Sequence, residues 1–317
     1  MKRTWTRITI AVALVLVVAF PFLTNAYILG IAQAMLLYFI YAMAMNLLMG
    51  YTGIRSFGQA GFWGVGAYVT GLMMNMHQYG ILSLLGAMII GAVLGLAVGM
   101  LSLRLQSVYF FITTLGVSEM LRVIAINWMP VTRGPMGLMV QPTSMGLFLG
   151  RFEYQTQVYL LSVLLAVLCF LGLRTLMRSH TGKILMSIRD SEPLADSVGV
   201  NPTAYKVFAF ATAGAITALS GGLNAMAYRI VVPDFLSMQY TTIGLLMVLI
   251  GGSGELWGPL FGALIYVGFN EGLRSIGEFR LVIFALIMIL VVMLFPKGLI
   301  GTLKQQTNKI KQRKQQT

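Results

Sequence analysis

Long apolar runs interrupted by single charges set the pattern of this chain. No side chain between Arg7 and Arg55 is charged, and none between Arg55 and Arg104. A membrane-crossing helix needs about 20 mostly apolar residues, so each run holds two. On the same basis the chain divides into spans near 8–24, 28–49, 57–76, 81–102, 107–127, 156–176, 207–228, 237–252, 259–276 and 280–296. The expected fold is all-α: a polytopic transmembrane helical bundle of about ten spans. The eighth span is short and abuts a glycine-rich break at Gly251, Gly252 and Gly254. The period-two alternation of a membrane β-barrel is missing from these runs.

Composition narrows the class. Of the 317 residues 58% are hydrophobic and 10% charged, against roughly 25% charged in a soluble domain. That excludes a soluble enzyme, a disordered chain and a collagen-like fibre. With Cys169 the single cysteine, no internal disulfide or cysteine-based zinc site is expected. The net charge of +13 reads as topology rather than nucleic-acid binding, because Lys and Arg collect on the cytoplasmic side. With the N-terminus inside, six of the 22 Lys and Arg fall in or near the outer side: Arg122, Arg133, Arg151, Arg229, Arg274 and Arg280. The other sixteen lie inside, which predicts both termini in the cytoplasm. The segment from Lys2 to Ala26 also has the form of a signal peptide. An uncleaved first span is the favoured reading, since a second span follows at once. Residues 304–317 form a polar, basic cytoplasmic tail suited to anionic lipid.

Two connections are longer than turns. The outer one, 127–155, contains Pro130, Arg133, Gly134, Pro135 and Gly137, a stiff and shaped stretch. It is either a plain connector or, as its length favours, a functional loop. The inner one, 174–206, carries an amphipathic stretch at 184–188. Ser191-Glu192-Pro193 then starts a helix, Gly199 ends it, and Asn201-Pro202 blocks its continuation. A short helix held between two spans can serve as a rigid protrusion. Leu194, Ala195 and Val198 fall on one face by i, i+3 and i+4 spacing, framed by Arg189, Glu192 and Asp196.

Polar residues inside spans are costly in lipid and mark partners or paths. Glu119 and Arg122, and again Glu271 and Arg274, stand at i and i+3 and pair on one helix face. Asn46, Ser56, Gln59, Asn127, Asn224, Gln239 and Asn270 either bond between helices or line a path. Gly91, Gly95 and Gly99, and Gly258 with Gly262, form small-residue stripes for close helix approach. The glycines from Gly50 to Gly64, and from Gly251 to Gly254, instead suggest broken backbone beside a path.

The stretch from Ser187 to Asn201, followed by Tyr205-Lys206-Val207-Phe208-Ala209-Phe210, resembles the cytoplasmic coupling segment of branched-chain amino acid ABC transporter permeases of the LivM type. Further matches follow in that family's order. They include Asn46-Leu47-Leu48-Met49-Gly50-Tyr51-Thr52-Gly53, Ser56-Phe57-Gly58, Gly66-Ala67-Tyr68, Glu119-Met120-Leu121-Arg122, Arg133-Gly134-Pro135-Met136-Gly137, Gly251-Gly252-Ser253-Gly254, Trp257-Gly258-Pro259 and Phe295-Pro296-Lys297-Gly298-Leu299. The resemblance covers roughly residues 28–301. Where the family usually has Glu-Asn-Glu and then Ala-Ala, this chain has Asp190-Ser191-Glu192 and Pro193-Leu194-Ala195.

The resemblance implies one permease domain over 1–303, with 174–206 as the ATPase-coupling loop and 127–155 as an extracytoplasmic loop. It implies a cell-membrane importer with a second homologous permease, two cytoplasmic ABC ATPases and an extracytoplasmic solute-binding protein. Arg189, Asp190, Glu192, Leu194, Ala195, Val198 and Gly199 would couple to the ATPase. Arg133, Gly134, Pro135 and Gly137 would meet the binding protein. No phosphate-binding G-x-x-x-x-G-K-[ST] motif occurs, so no cofactor is expected here, with ATP and magnesium on the partner. Substrates left open are leucine, isoleucine and valine, or urea and short amides. An ion-coupled secondary transporter using Glu119 or Glu271 is the second class. An intramembrane enzyme is the third and lacks any catalytic grouping around His77 or His180.

Overall fold

The computed structural model describes residues 20–21, 23–77, 80–103, 105, 107–143, 152–274, 283, 286, 293 and 298–302. The chain runs α1 (Ala26–Met45), a π-helical turn (Asn46–Thr52), α2 (Gln59–His77), α3 (Gly80–Ser102) and α4 (Ser107–Asn127). A compact layer follows, made of α5 (Met129–Thr132), a 3-10 turn (Gly134–Met136) and β1 (Leu138–Met139). Next come α6 (Tyr154–Arg178), α7 (His180–Asp190), α8 (Glu192–Ser197) and α9 (Pro202–Tyr228). The chain continues through β2 (Ile230–Val231) and a 3-10 turn (Pro233–Leu236) into α10 (Met238–Gly251) and α11 (Gly258–Gly272).

Helix α2 is the centre. Gln59, Ala60, Trp63, Ala67, Thr70 and Met74 are fully buried along it. It packs on α9, α3, α4 and the Pro233–Leu236 turn. Helix α9 lies along α3 at the expected glycine stripe: a methyl at Gly91 would reach 2.6 Å from the Gly214 carbonyl oxygen. Backbones therefore touch, and dispersion between them replaces the hydrophobic drive that lipid cannot supply. Tyr38, Tyr41, Trp63, Tyr240 and Tyr266 form an aromatic knot joining α1, α2, α10 and α11.

Among the described residues, five helical segments are long and apolar enough to cross a membrane: Ala26–Thr52, Gly80–Ser102, Val108–Asn127, Tyr154–Arg178 and Pro202–Tyr228. Five of the ten expected spans coincide with these segments. The spans at 8–24 and 280–296 lie almost wholly outside the described residues, as does the 304–317 tail. The spans at 237–252 and 259–276 become helices of 14 and 15 residues, about 21 and 23 Å long, short of a hydrocarbon core about 30 Å thick. Their physical limits are visible. Pro233–Leu236 delays the start of α10, and Gly252 and Gly254, at φ 116° and 79°, end it. The two then pack closely: a methyl at Gly262 would strike the Met247 carbonyl. A small two-stranded antiparallel ladder, Leu138 opposite Val231 and Met139 opposite Ile230, is an addition to the all-α expectation.

Candidate functional site

At one end of the bundle the chain folds back on itself between α6 and α9. Ser179 Oγ accepts the Gly182 amide at 3.3 Å and starts α7. Ser191, extended at φ −159°, breaks α7 from α8, where Pro193 occupies the first turn. Gly199 takes φ +85° and ends α8. Asn201 Oδ1 accepts the Ala204 amide at 3.2 Å and caps α9. Each signal read from the sequence in 191–202 therefore falls where it was expected.

Bonds centred on three side chains, Arg189, Asn46 and Glu192, fasten this end. The Arg189 guanidinium donates to the Gly50 carbonyl at 2.7 Å and to Asp190 Oδ1 at 3.0 and 2.9 Å. Asn46 donates to the Glu255 carbonyl at 3.0 Å and accepts from the Gly254 amide at 2.9 Å. Glu192 pairs with Lys206 at 2.6 Å, tying α8 to the first turn of α9. Arg189 thus lies against both glycine breaks. A methyl at Gly53 would reach 3.0 Å from its Cγ, and one at Gly254 3.0 Å from its terminal nitrogen. The π-helical turn that presents Gly50 is held by Thr52, whose hydroxyl reaches the Leu47 and Leu48 carbonyls at 2.9 and 2.6 Å. A cavity of about 470 Å³ opens beside it, lined among others by Gly53, Arg55, Arg189, Glu192 and Lys206.

The expected docking face of α8 is corrected in one member. Leu194 and Val198 are 66% and 73% exposed, but Ala195 is only 4% exposed. On a helix of six residues Ala195 turns inward, where its carbonyl accepts the Val200 amide at 3.2 Å.

The polar positions inside the bundle divide. Ser56 and Gln59 are buried at the entry to α2: Ser56 Oγ accepts the Gly58 amide, and Gln59 Oε1 accepts from Thr217 at 2.8 Å. Gln239 is exposed at the start of α10. Both expected ion pairs form, Glu119–Arg122 at 2.8 Å and Glu271–Arg274 at 3.1 Å. Each recruits a third group that local spacing could not reveal. Asp234 reaches Arg122 at 3.3 Å, and the Tyr27 hydroxyl donates to Glu271.

The opposite end carries the β1–β2 ladder. Arg133, Gly134 and Gly137 all have left-handed backbones, at φ 60°, 59° and 76°, with Pro135 inside the 3-10 turn. Asn75, at the end of α2, donates to the Met139 carbonyl at 2.8 Å and accepts the Gln141 amide at 2.9 Å. A cavity of about 850 Å³ is bordered by Asn75, Arg133, Gln141, Tyr228 and Arg229. The sequence places Arg229 on the outer side but gives it no site role. It shares the left-handed conformation of Arg133, at φ 58°, and lies 5.8 Å from the Tyr154 ring centre. Among the described residues, no three His, Cys, Asp or Glu are grouped to hold a metal.

Residues 27–293 match the family model described as the permease component of the branched-chain amino acid transport system. The chain belongs to this family. It is a multi-pass membrane permease. The high-affinity branched-chain amino acid permease protein LivM of Salmonella typhimurium is 28% identical over 316 residues, covering 92% of this chain and 74% of that protein. The probable LivM of Methanocaldococcus jannaschii is 27% identical, covering 73% of this chain and 76% of the relative. LivH of Escherichia coli, also a branched-chain amino acid permease protein, is 22% identical over 83% of this chain and 91% of its own. No solved structure matches the chain.

Proposed function

We propose that this chain is the membrane-spanning permease subunit of an ATP-driven ABC importer that carries leucine, isoleucine and valine. The end bearing α7 and α8 faces the cytoplasm. There Leu194 and Val198 dock in a groove of one of two ATPase subunits, which bind ATP and magnesium. Arg189 carries the resulting movement to the Gly50 turn and the Gly252–Gly254 break. The opposite end, with Arg133 and Arg229 beside one cavity, receives a solute-binding protein. A second permease similar to this one completes the path, a reading supported by the likeness to both LivM and LivH. Both termini lie in the cytoplasm, which the charge distribution supports.

The observation that carries the coupling is the Arg189–Gly50 bond. It joins the exposed helix pair to residues 139 positions away in sequence, at the foot of α1. A load applied to α8 therefore reaches a membrane helix without passing through flexible loop. The test is uptake by the four-component complex in proteoliposomes. Labelled leucine should accumulate only with ATP and loaded binding protein. Transport of urea and not leucine would move the substrate assignment to amides. Accumulation driven by an ion gradient without ATP would overturn the ABC assignment.

A further inference from the structure

The Glu119–Arg122–Asp234 group belongs to neither end of the bundle. Helix α4 has 21 residues, about 31 Å, which matches the thickness of a hydrocarbon core. Counted at about 1.5 Å per residue, Arg122 lies about 8 Å and Glu119 about 12 Å from its outer end. Asp234 is brought to that level because the Pro233–Leu236 turn dips between α2 and α4. The turn is held there by Ser118, whose hydroxyl donates to the Leu236 carbonyl at 2.8 Å.

Two neighbouring helices present open faces of different character. On α3 the exposed side chains are apolar throughout, including Leu85, Ile89, Val93 and Met100, a face suited to acyl chains. On α4 the exposed apolar side chains, Tyr109, Ile112, Met120, Val123 and Ile124, surround the Glu119–Arg122–Asp234 group. The Glu119 and Asp234 side chains are 47% and 79% exposed. Carboxylates at that depth are costly against lipid, which favours a polar neighbour.

The group has unused bonding capacity of both signs. A guanidinium has five N–H donors. Arg122 spends its Nε on Glu119 and one terminal nitrogen on Asp234. Each carboxylate has a second oxygen. Within reach of the Asp234 charge stands the Tyr68 hydroxyl, buried and without a hydrogen-bond partner among the described residues, on a residue only 7% exposed. Below the charges Gly116 leaves the helix surface bare, with nothing within 4 Å of where a Cβ would stand.

We propose that Glu119, Arg122 and Asp234 form a path-facing site for the zwitterionic head of an amino acid. Its α-carboxylate meets Arg122, its α-ammonium meets Asp234 and Glu119, and its branched side chain rests over Gly116 and Ile112. This rests on the reading of the chain as a branched-chain amino acid permease. It adds a selective station inside the membrane to whatever choice the binding protein makes.

The test uses the assembled importer in proteoliposomes. Asp234→Asn keeps shape and removes one charge from an exposed position. At saturating leucine-loaded binding protein it should lower leucine uptake about ten-fold, the scale of one charge-assisted hydrogen bond. Stimulated ATPase activity should stay within about two-fold of the parent. In a Cys169→Ala background, Asp234→Cys should react with a water-soluble methanethiosulfonate, and leucine-loaded binding protein should slow that reaction. Unchanged uptake by Asp234→Asn, a thiol inert to the aqueous reagent, or loss of the second permease on purification would each overturn the site; the last would make it a subunit contact. If the parent complex carries no leucine at all, the permease reading fails first and this site falls with it.

Discussion

The two ends of the bundle are held by different forces. At the end with α7 and α8, side chains bridge elements far apart in sequence: Arg189 to Gly50, Asn46 to Gly254 and Glu255, Glu192 to Lys206. At the other end the backbone does most of the holding, through the β1–β2 ladder and four left-handed residues, Arg133, Gly134, Gly137 and Arg229, with the Asn75 side chain tying that ladder to α2. Side-chain bonds can break and reform with a change of state. A backbone clamp keeps one shape and leaves its cations free to meet a partner. The first arrangement suits an end that must pass on motion, and the second an end that must present a fixed surface.

The largest expected effect breaks the motile end at its tip. Leu194→Glu places a charge on the exposed face proposed to dock the ATPase and should abolish ATP-dependent uptake while the chain still inserts. The ATPase should also separate from the complex on purification. Ala195→Glu is a different experiment, because Ala195 is buried. A buried unpaired carboxylate is strongly destabilising, so this variant should lower the yield of folded chain before any uptake is measured. Normal uptake by Leu194→Glu would remove α8 from the coupling role.

The difference between those two residues also shows what was legible in the sequence. Helix starts, stops and breaks in 191–202 are written locally in Ser, Pro, Gly and Asn, so they could be read. So could the i, i+3 ion pairs and the Gly91–Gly95 stripe. The inward turn of Ala195 could not, because a helix of one and a half turns has no periodicity to reveal its inner face. Asp234 and Lys206 went unpaired in the reading because their partners lie 112 and 14 residues away. The shortness of α10 and α11 was hidden for another reason: hydropathy does not distinguish a full span from two apolar helices that stop part-way.

Next in size comes the link itself. Arg189→Ala removes the bond to Gly50 and the packing on Gly53, and should cut coupled uptake about ten-fold, as loss of a charge-assisted hydrogen bond does. Basal ATPase activity should persist while stimulation by loaded binding protein is lost. Arg189→Lys restores charge but cannot hold Gly50 and Asp190 together in a planar fork, so recovery should be partial. Gly254→Ala attacks the same junction from the other side. A left-handed non-glycine residue costs about 1–2 kcal/mol, and the new methyl would crowd Arg189. Reduced thermal stability with weakened coupling is the expected pair of results.

The Glu192–Lys206 pair should matter less. Its Lys side chain is mostly covered and its Glu half-exposed, so screening limits it to about 1 kcal/mol. Glu192→Gln should slow uptake a few-fold. Raising salt should slow the parent toward the variant and leave the variant unchanged. An equal salt response in both would mean that the pair does not hold α8 in place.

The smallest expected effect tests the fixed end, and it can separate cation from backbone. Arg133→Glu reverses a surface charge on the loop proposed to meet the binding protein. Such charges act on the rate of encounter more than on final affinity. Uptake should therefore fall a few-fold at low binding-protein concentration and converge with the parent at saturation, a difference of about 1 kcal/mol or less. Arg133→Gly removes the cation as well, but it relieves the left-handed backbone at φ 60°. Glycine adopts that conformation freely, so this variant should be as stable as the parent or slightly more so. If the cation guides docking, both variants slow encounter and Glu does so more. If only the shape of the loop matters, Arg133→Gly transports like the parent at every binding-protein concentration. In that case Arg229, the second left-handed cation beside the same cavity, becomes the residue to reverse.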